Sequence, residues 1–465
     1  MSPLFSDALF AAIWLFVNVL LIAAVWQVVS RRFSSDPPLE KIMHCVIVAW
    51  ASVAAAALAL GAIGWLSAGA LLALVGGGAA AFLKASVRGT HIPRQSTRNE
   101  PPKIDRFTLA WGLLFALALG LVATTALVQF PTDWDSLMYH IPLADQWLRA
   151  GNLYAPDEAI WQFPGNNELL TLWLVAPFSG DFLAALGNLP SVALLALATI
   201  ALARQLDLRP VSCHLAGFAA VGNSIVLRQL CDNENDVAVA ALFIACLAYA
   251  FRSARGLRRA DVYCGAICAG LLAGIKYYAL AYLGVAAVAT VLLTWLTGSG
   301  RSAARAASLG ASAVLVWGGY WYARNVIVSG TPFYPFGLTD DTDVLSEMRS
   351  ASTFSSTLLG NGQPEVWTLL GDAIKRRTGP AHWIAFMLCP IVVAWLSLSA
   401  LVMILRRGEG SAATRRLILA LAVLGAAAAY GVTPFAVETE PGTMNTLKGG
   451  YLPSRFGLSF LTLAV

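Results

Sequence analysis

Residues 107–140 read FTLAWGLLFALALGLVATTALVQFPTDWDSLMYH. From Phe107 to Val128 the stretch carries no charge, and an apolar run of about 20 residues makes a helix long enough to cross the hydrocarbon core of a bilayer. Two aspartates, Asp133 and Asp135, and a histidine, His140, follow at once. Charge at a membrane edge is costly when it serves nothing, so acids placed at the exit of a span mark a candidate site. The bland reading of the same pair is a solvated or capping loop.

The rest of the chain agrees with its central stretch. Of 465 residues, 58% are hydrophobic and 12% charged, with a mean hydropathy of +0.68, against roughly a quarter charged in a soluble domain. That composition excludes a soluble enzyme, a nucleic-acid reader and a disordered chain. Seven scattered cysteines suggest neither a disulfide framework nor a zinc site, and Cys264 with Cys268 is expected to pack.

Cutting the chain at charge clusters and Pro/Gly/Asn-rich breaks predicts twelve spans. They are Leu9–Val29, Ile42–Leu66, Ala68–Ala85, Phe107–Val128, Phe182–Ala203, Val211–Leu227, Val237–Phe251, Val262–Ile275, Tyr277–Thr297, Ala306–Val328, His382–Leu405 and Leu417–Phe435. The expected fold is an all-α integral membrane protein of about 12–13 transmembrane helices, with amphipathic helices beside the membrane. No Lys or Arg precedes the first span, which reads as a retained anchor rather than a cleaved signal. Three regions are expected: a three-helix segment 1–106, a core 107–305 holding the first external loop 129–181, and a C-terminal region 306–465 with external loops 329–381 and 436–455. The apolar stretch after Arg455, roughly 16 Å as helix, is too short to cross and reads as a dipping segment or a chain cut short.

With the N-terminus outside, Lys and Arg number 21 on the inner loops and 10 outside, as the positive-inside rule asks. The carboxylates divide the other way, 19 outside and 7 inside. The first external loop contains Asp133, Asp135, His140, Asp145, Asp157, Glu158 and Glu168. Within it Leu137, Ile141, Ala144 and Leu148 share one helical stripe opposite Asp145, Gln146 and Arg149. Pro142 fits only near the start of such a helix. Ile141–Ala150 therefore reads as an amphipathic helix lying on the outer membrane surface, and 166–177 as a second. Trp134, Tyr139, Trp147 and Trp161 read as interface anchors, with stacking on sugars as the alternative.

The order of events carries more than any one motif. After Pro131-Thr-Asp-Trp-Asp-Ser-Leu-Met-Tyr-His140 come Gln162-Phe-Pro-Gly-Asn-Asn-Glu168 and Leu186-Gly-Asn-Leu-Pro190. Next are the acidic turn Cys231-Asp-Asn-Glu-Asn-Asp236 and then Ala269-Gly-Leu-Leu-Ala-Gly-Ile-Lys-Tyr-Tyr278, with one lysine between apolar helices. This ordered set resembles the GT-C superfamily of membrane glycosyltransferases, in particular its bacterial branch similar to the protein mannosyltransferase and aminoarabinose transferase families. The resemblance covers Phe107–Thr297. It extends more loosely through Arg324-Asn325, Gly330-Thr-Pro-Phe-Tyr-Pro-Phe336 and Tyr451-Leu-Pro-Ser-Arg455. Two features depart from the family pattern: three spans precede it, and the first acidic motif is Asp-Trp-Asp where many relatives have adjacent acids. The resemblance implies inversion at the anomeric carbon.

Chemistry points the same way. Carboxylates with a few cations at a membrane face suit a polyprenyl-phosphate sugar donor, whose phosphate lies at headgroup level while its tail stays in the bilayer. A base must take the proton of the acceptor hydroxyl on a lipid or glycan, and Asp133 or Asp135 suits that role. The leaving phosphate needs preorganised positive charge, for which Lys276, Arg324 and Arg455 are candidates; snorkelling is their bland reading. His140, Asp232, Glu234 and Asp236 are candidate substrate contacts, although a polar hairpin would also account for the last three. An Asp-x-Asp pair beside a histidine could hold a divalent cation, but the cation set makes catalysis without a metal the expectation. With no Gly-rich phosphate loop and a site facing outward, nucleotide sugars are not the expected donors. The expected setting is a bacterial-type cytoplasmic membrane, with the site on its outer face, membrane lipids around it and no nucleic acid as partner. The competing class is a transporter or glycolipid flippase, which places charge near the bilayer midplane, often within an internal repeat. No such repeat is visible. A purely structural assembly partner would leave the acidic turns without a purpose.

Overall fold

The computed structural model describes residues 3–88, 106–129, 131–154, 162–178, 180–256, 258–334, 357–405, 410–434 and 451–464. Among the described residues no β-strand forms, only an isolated bridge between Thr357 and Pro434. Nine helices among them are long and apolar enough to cross a membrane. The architecture is that of an all-α, multi-pass membrane protein. By its contacts the chain divides into two units.

The first unit comprises residues 1–154, 166–197 and 230–234. Its helices are α1 (Pro3–Arg32), α2 (Pro38–Ala62), α3 (Ala68–Arg88), α4 (Arg106–Val128), α5 (Ile141–Ala150), α6 (Glu168–Val175) and the first part of α7 (Leu189–Gln205). Proline opens α2 at a position whose N–H would be unpaired in any case. Helices α1, α2 and α3 pack on one another. The turn after α2 meets the end of α5, where Leu66 N donates to Gly151 O at 2.8 Å and Leu153 N to Gly61 O at 3.2 Å.

Helix α5 has the bounds expected of it, with Pro142 in its first turn and Gly151 closing it at φ 70°, a left-handed stop that glycine adopts without strain. Its buried face differs from the expected stripe. Leu137 is exposed, and the helix instead buries Ile141, Leu143, Ala144 and Trp147. The bulk of Trp147, rather than the leucine spacing, sets the rotation. Helix α6 is also no surface helix, because Glu168, Leu169, Leu170, Thr171, Leu172, Trp173 and Val175 are all buried. Packing against α5 and α2 covers it, and Trp50 Nε1 donates to Asn166 O just before it at 3.3 Å. Of the expected anchors, Trp134 is exposed, Tyr139 and Trp147 are buried, and Trp161 lies outside the described residues.

The second unit comprises residues 155–165, 198–229 and 235–465. Beyond the end of α7 it contains α8 (Pro210–Val221), α9 (Ser224–Gln229), α10 (Asp236–Gly256), α11 (Arg259–Ala273), α12 (Ala279–Thr297), α13 (Gly300–Ala313) and α14 (Gly319–Ser329). They are followed by α15 (Glu365–Thr378), α16 (Pro380–Leu405), α17 (Gly410–Gly431), α18 (Tyr451–Phe456) and α19 (Leu458–Ala464). Helix α10 is its axis, buried at every residue from Asp236 to Ser253 and packed against α11, α12 and α19. Its many alanines, among them Ala238, Ala241, Ala245 and Ala248, let these neighbours pack close.

Three expected spans take another form. Val211–Leu227 divides into α8 and α9, because Asn223 turns its Oδ1 onto the N–H groups of Ile225 and Val226 at 3.1 and 3.0 Å and starts a new helix. Val262–Ile275 becomes the 15-residue α11, roughly 22 Å long. Ala306–Val328 lies on a helical path from α13 to α14 that is interrupted by a π-turn at Val314–Gly318.

That π-turn lies where α11 approaches. A Cβ built on Gly270 would come within 2.3 Å of Ala313 O, and one on Gly318 within 2.8 Å of the Ala273 methyl. Small residues let helix backbones meet this closely inside a membrane. Gly270→Ala should therefore destabilise the protein by about 1–3 kcal/mol. Gly310→Ala, where nothing lies within 4 Å, should be near neutral; thermal unfolding in detergent compares the two.

Candidate functional site

In the first unit, the two acidic stretches noted in the sequence meet. After α4, the backbone at Thr132 and Asp133 is fastened by a single carboxylate: Asp232 Oδ1 accepts the N–H of Thr132 at 2.9 Å and of Asp133 at 3.1 Å. Asp133 in turn accepts the N–H of Asp135 through Oδ2 at 3.1 Å, which starts the helical turn that follows. The result is a group of three carboxylates, Asp133, Asp135 and Glu234, whose oxygens lie within 4.8 Å of one another. Asp133 and Glu234 are buried, and Asp135 is half-buried.

Amides hold this group together. Asn188 Nδ2 donates to Asp232 O at 2.9 Å and to Glu234 O at 2.7 Å, so one side chain shapes the 232–234 turn. Asn233 Nδ2 donates to Thr171 Oγ1 at 2.8 Å and Ala184 O at 3.0 Å, while its N–H reaches Ser136 Oγ at 2.8 Å. Asn167 Nδ2 adds a bond to Asn233 O at 3.3 Å. Gly187 has to be glycine here, because a Cβ would stand 2.6 Å from Asn233 Nδ2. These amides were not singled out in the sequence. The signal was present in Asn166, Asn167, Asn188 and Asn233, polar residues beside apolar runs that must be paired when buried.

His140 ends a π-turn, Ser136–His140, that leads into α5, and π-turns recur at functional sites. Its Nδ1 lies 2.5 Å from Glu168 Oε1, with both side chains buried. Its Nε2 is buried with no hydrogen-bond partner among the described residues. The tautomer that donates from Nδ1 to Glu168 is the one that leaves Nε2 a lone pair to offer. The Tyr139 ring lies 3.9 Å from the imidazole, centre to centre.

In the second unit, two of the three expected cations share one carboxylate. Asp236, 1% exposed, lies 3.7 Å from Lys276 Nζ and 3.3 Å from Arg455 Nε. It also accepts from Tyr278 Oη at 2.6 Å and Gln229 Nε2 at 3.2 Å. Burial and the adjacent Asp236 carboxylate push the Tyr278 phenol well above its usual range, so it stays a donor. Lys276 Nζ bonds Asn235 Oδ1 at 3.0 Å, and it lies 5.5 Å from the Phe456 ring centre. Arg455 lies 5.1 Å from the same ring. Asp236 is thus the counterion of Lys276 and Arg455.

Arg324 has a different set of partners. It is buried, donates to the carbonyls of Gln162 and Phe163 and to Asn325 Oδ1, and has the Trp321 ring centre at 5.1 Å. Asn325 Nδ2 bonds Gln162 O at 3.1 Å and Tyr277 Oη at 2.8 Å. Arg324 and Asn325 together fasten the 162–163 segment.

Chemically, the first unit offers clustered oxygen donors and an imidazole, and the second a lysine and an arginine held on one acid. The three clustered carboxylates are of the donor type that suits a hard divalent cation, and Asp133 is at the same time engaged with the backbone. No protein-family model matches the chain, nor does any curated protein or solved structure.

Proposed function

We propose that the protein is a membrane glycosyltransferase that moves a sugar from a polyprenyl-phosphate carrier to a hydroxyl acceptor on the outer face of a bacterial-type cytoplasmic membrane, with inversion. The observation that carries this reading is the meeting of Asp133, Asp135 and Glu234 at the end of the α4 span. Asp135 is the proposed base. It is the most accessible carboxylate of the three, whereas Asp133 has one oxygen on the backbone. Asp232 positions the loop, and Glu234 completes the acidic wall. Within the second unit, Lys276 and Arg455 are proposed as a phosphate-binding pair, since a phosphate would offer them oxygens like those of Asp236. Arg324, engaged on Gln162 and Phe163, drops to a supporting role.

His140 is proposed to hold a sugar or acceptor hydroxyl through Nε2, oriented by Glu168. His140→Ala, which removes the imidazole acceptor, should lower turnover by roughly 10- to 100-fold, and Glu168→Gln should approach it. Steady-state transfer assays would check both. Wild-type turnover in the two variants would remove the pair from the site.

The test of the reading as a whole is a proteoliposome assay with a radiolabelled polyprenyl-phosphate sugar and a short lipid or glycan acceptor. Label moving to the acceptor supports transfer. Movement of the intact lipid between leaflets without transfer would instead make the protein a flippase.

A further inference from the structure

Within the second unit, a cavity of about 110 Å³ opens between the start of α11 and the first three turns of α13, lined by Arg259, Val262, Tyr263, Ser302, Arg305 and Leu309. These are i, i+3, i+4 positions on one helix and i, i+3, i+7 on the other, so each helix turns a single face to the cavity. The two arginines are available to a ligand. The nearest acid in sequence, Asp261, is held by Arg252 at 2.9 Å and Arg258 at 2.8 Å. Neither Arg259 nor Arg305 has an ion-pair partner among the described residues. Both helices begin here, which adds the positive ends of two helix dipoles.

The lining is also graded along the helices. Arg259 and Ser302 stand near the helix starts, while Leu309 lies seven residues further along, roughly 10 Å. Charge at one end and hydrocarbon at the other suit an amphiphile better than a free ion. The cavity is smaller than the ~300 Å³ at which drug-sized pockets begin, which fits a headgroup rather than a whole soluble ligand. Both flanking loops, Arg252–Asp261 and Gly298–Arg305, are among those that the distribution of Lys and Arg assigns to the inner face, and that leaflet carries anionic lipid.

We infer that this cavity is a binding site for an anionic phospholipid, with Arg259 and Arg305 on its phosphodiester and its acyl chains leaving past Val262 and Leu309. The site is independent of the proposed transfer reaction. The test uses the full-length protein in detergent, titrated with phosphatidylglycerol or phosphatidylcholine and read by native mass spectrometry. Phosphatidylglycerol should be retained preferentially. Each of Arg259→Gln and Arg305→Gln should weaken it about fivefold, and the pair roughly 30-fold. Arg301→Gln, exposed in the first turn of α13 but not lining the cavity, should leave retention unchanged. Equal retention of the two lipids, or an unaffected double variant, would overturn the assignment. So would displacement of the lipid by an equimolar amount of glycerol phosphate, because a free phosphate group would then suffice.

Discussion

An Asp236→Ala protein should be destabilised by about 3–5 kcal/mol, the loss expected when one side of a buried ion pair is removed and the other is stranded. Here two cations would be stranded, since Lys276 and Arg455 both rest on this carboxylate, and Tyr278 and Gln229 would lose their acceptor. Thermal unfolding in detergent would show it, as would loss of monodisperse protein on purification. Asp236→Asn keeps the shape and one oxygen, so it should lie between alanine and wild type. A wild-type unfolding curve for Asp236→Ala would mean that Lys276 and Arg455 do not depend on this acid.

Asp135→Asn should lower sugar transfer by roughly 10²- to 10⁴-fold, the usual contribution of a positioned general base, with insertion and unfolding unchanged. The contrast with its neighbour sharpens the test. Asp133 accepts the N–H of Asp135 and has its own N–H on Asp232, so Asp133→Asn should affect both stability and rate. A loss confined to rate in Asp135→Asn, beside a mixed loss in Asp133→Asn, separates the base from the residue that positions it. Full transfer in both variants would falsify the carboxylate-base proposal.

How far the sequence could be read depended on which signal each feature left. Apolar length is a strong signal, and spans such as α4, α10 and α12 were legible with little change of bounds. The span 211–227 misled because its composition stays apolar across Asn223, whose capping role shows only in the bonds to Ile225 and Val226. The acidic stretches 131–140 and 231–236 were visible as charges beside apolar runs. Their contact through Asp232, across about 100 residues of chain, was not. The buried amides Asn188 and Asn233 were missed because a single asparagine looks the same in a solvated turn as in an enclosed network. The face of α5 was misjudged because the leucine spacing outweighed Trp147, which is 1% exposed.

The π-turn at Ser136–His140 has a consequence for how this loop tolerates change. By holding one residue more than an α-turn, it sets the helical phase after it about 100° away from the phase before it. Ser136, upstream, is committed to Asn233, and Ile141, Ala144 and Trp147, downstream, to the interior. Deleting Leu137 or Met138, both about half exposed, would remove no buried contact. It would nevertheless force the chain to choose between the two phases, giving up either the acidic group or the seat of Trp147. Loop length here is thus constrained by angular register even where side-chain identity is free.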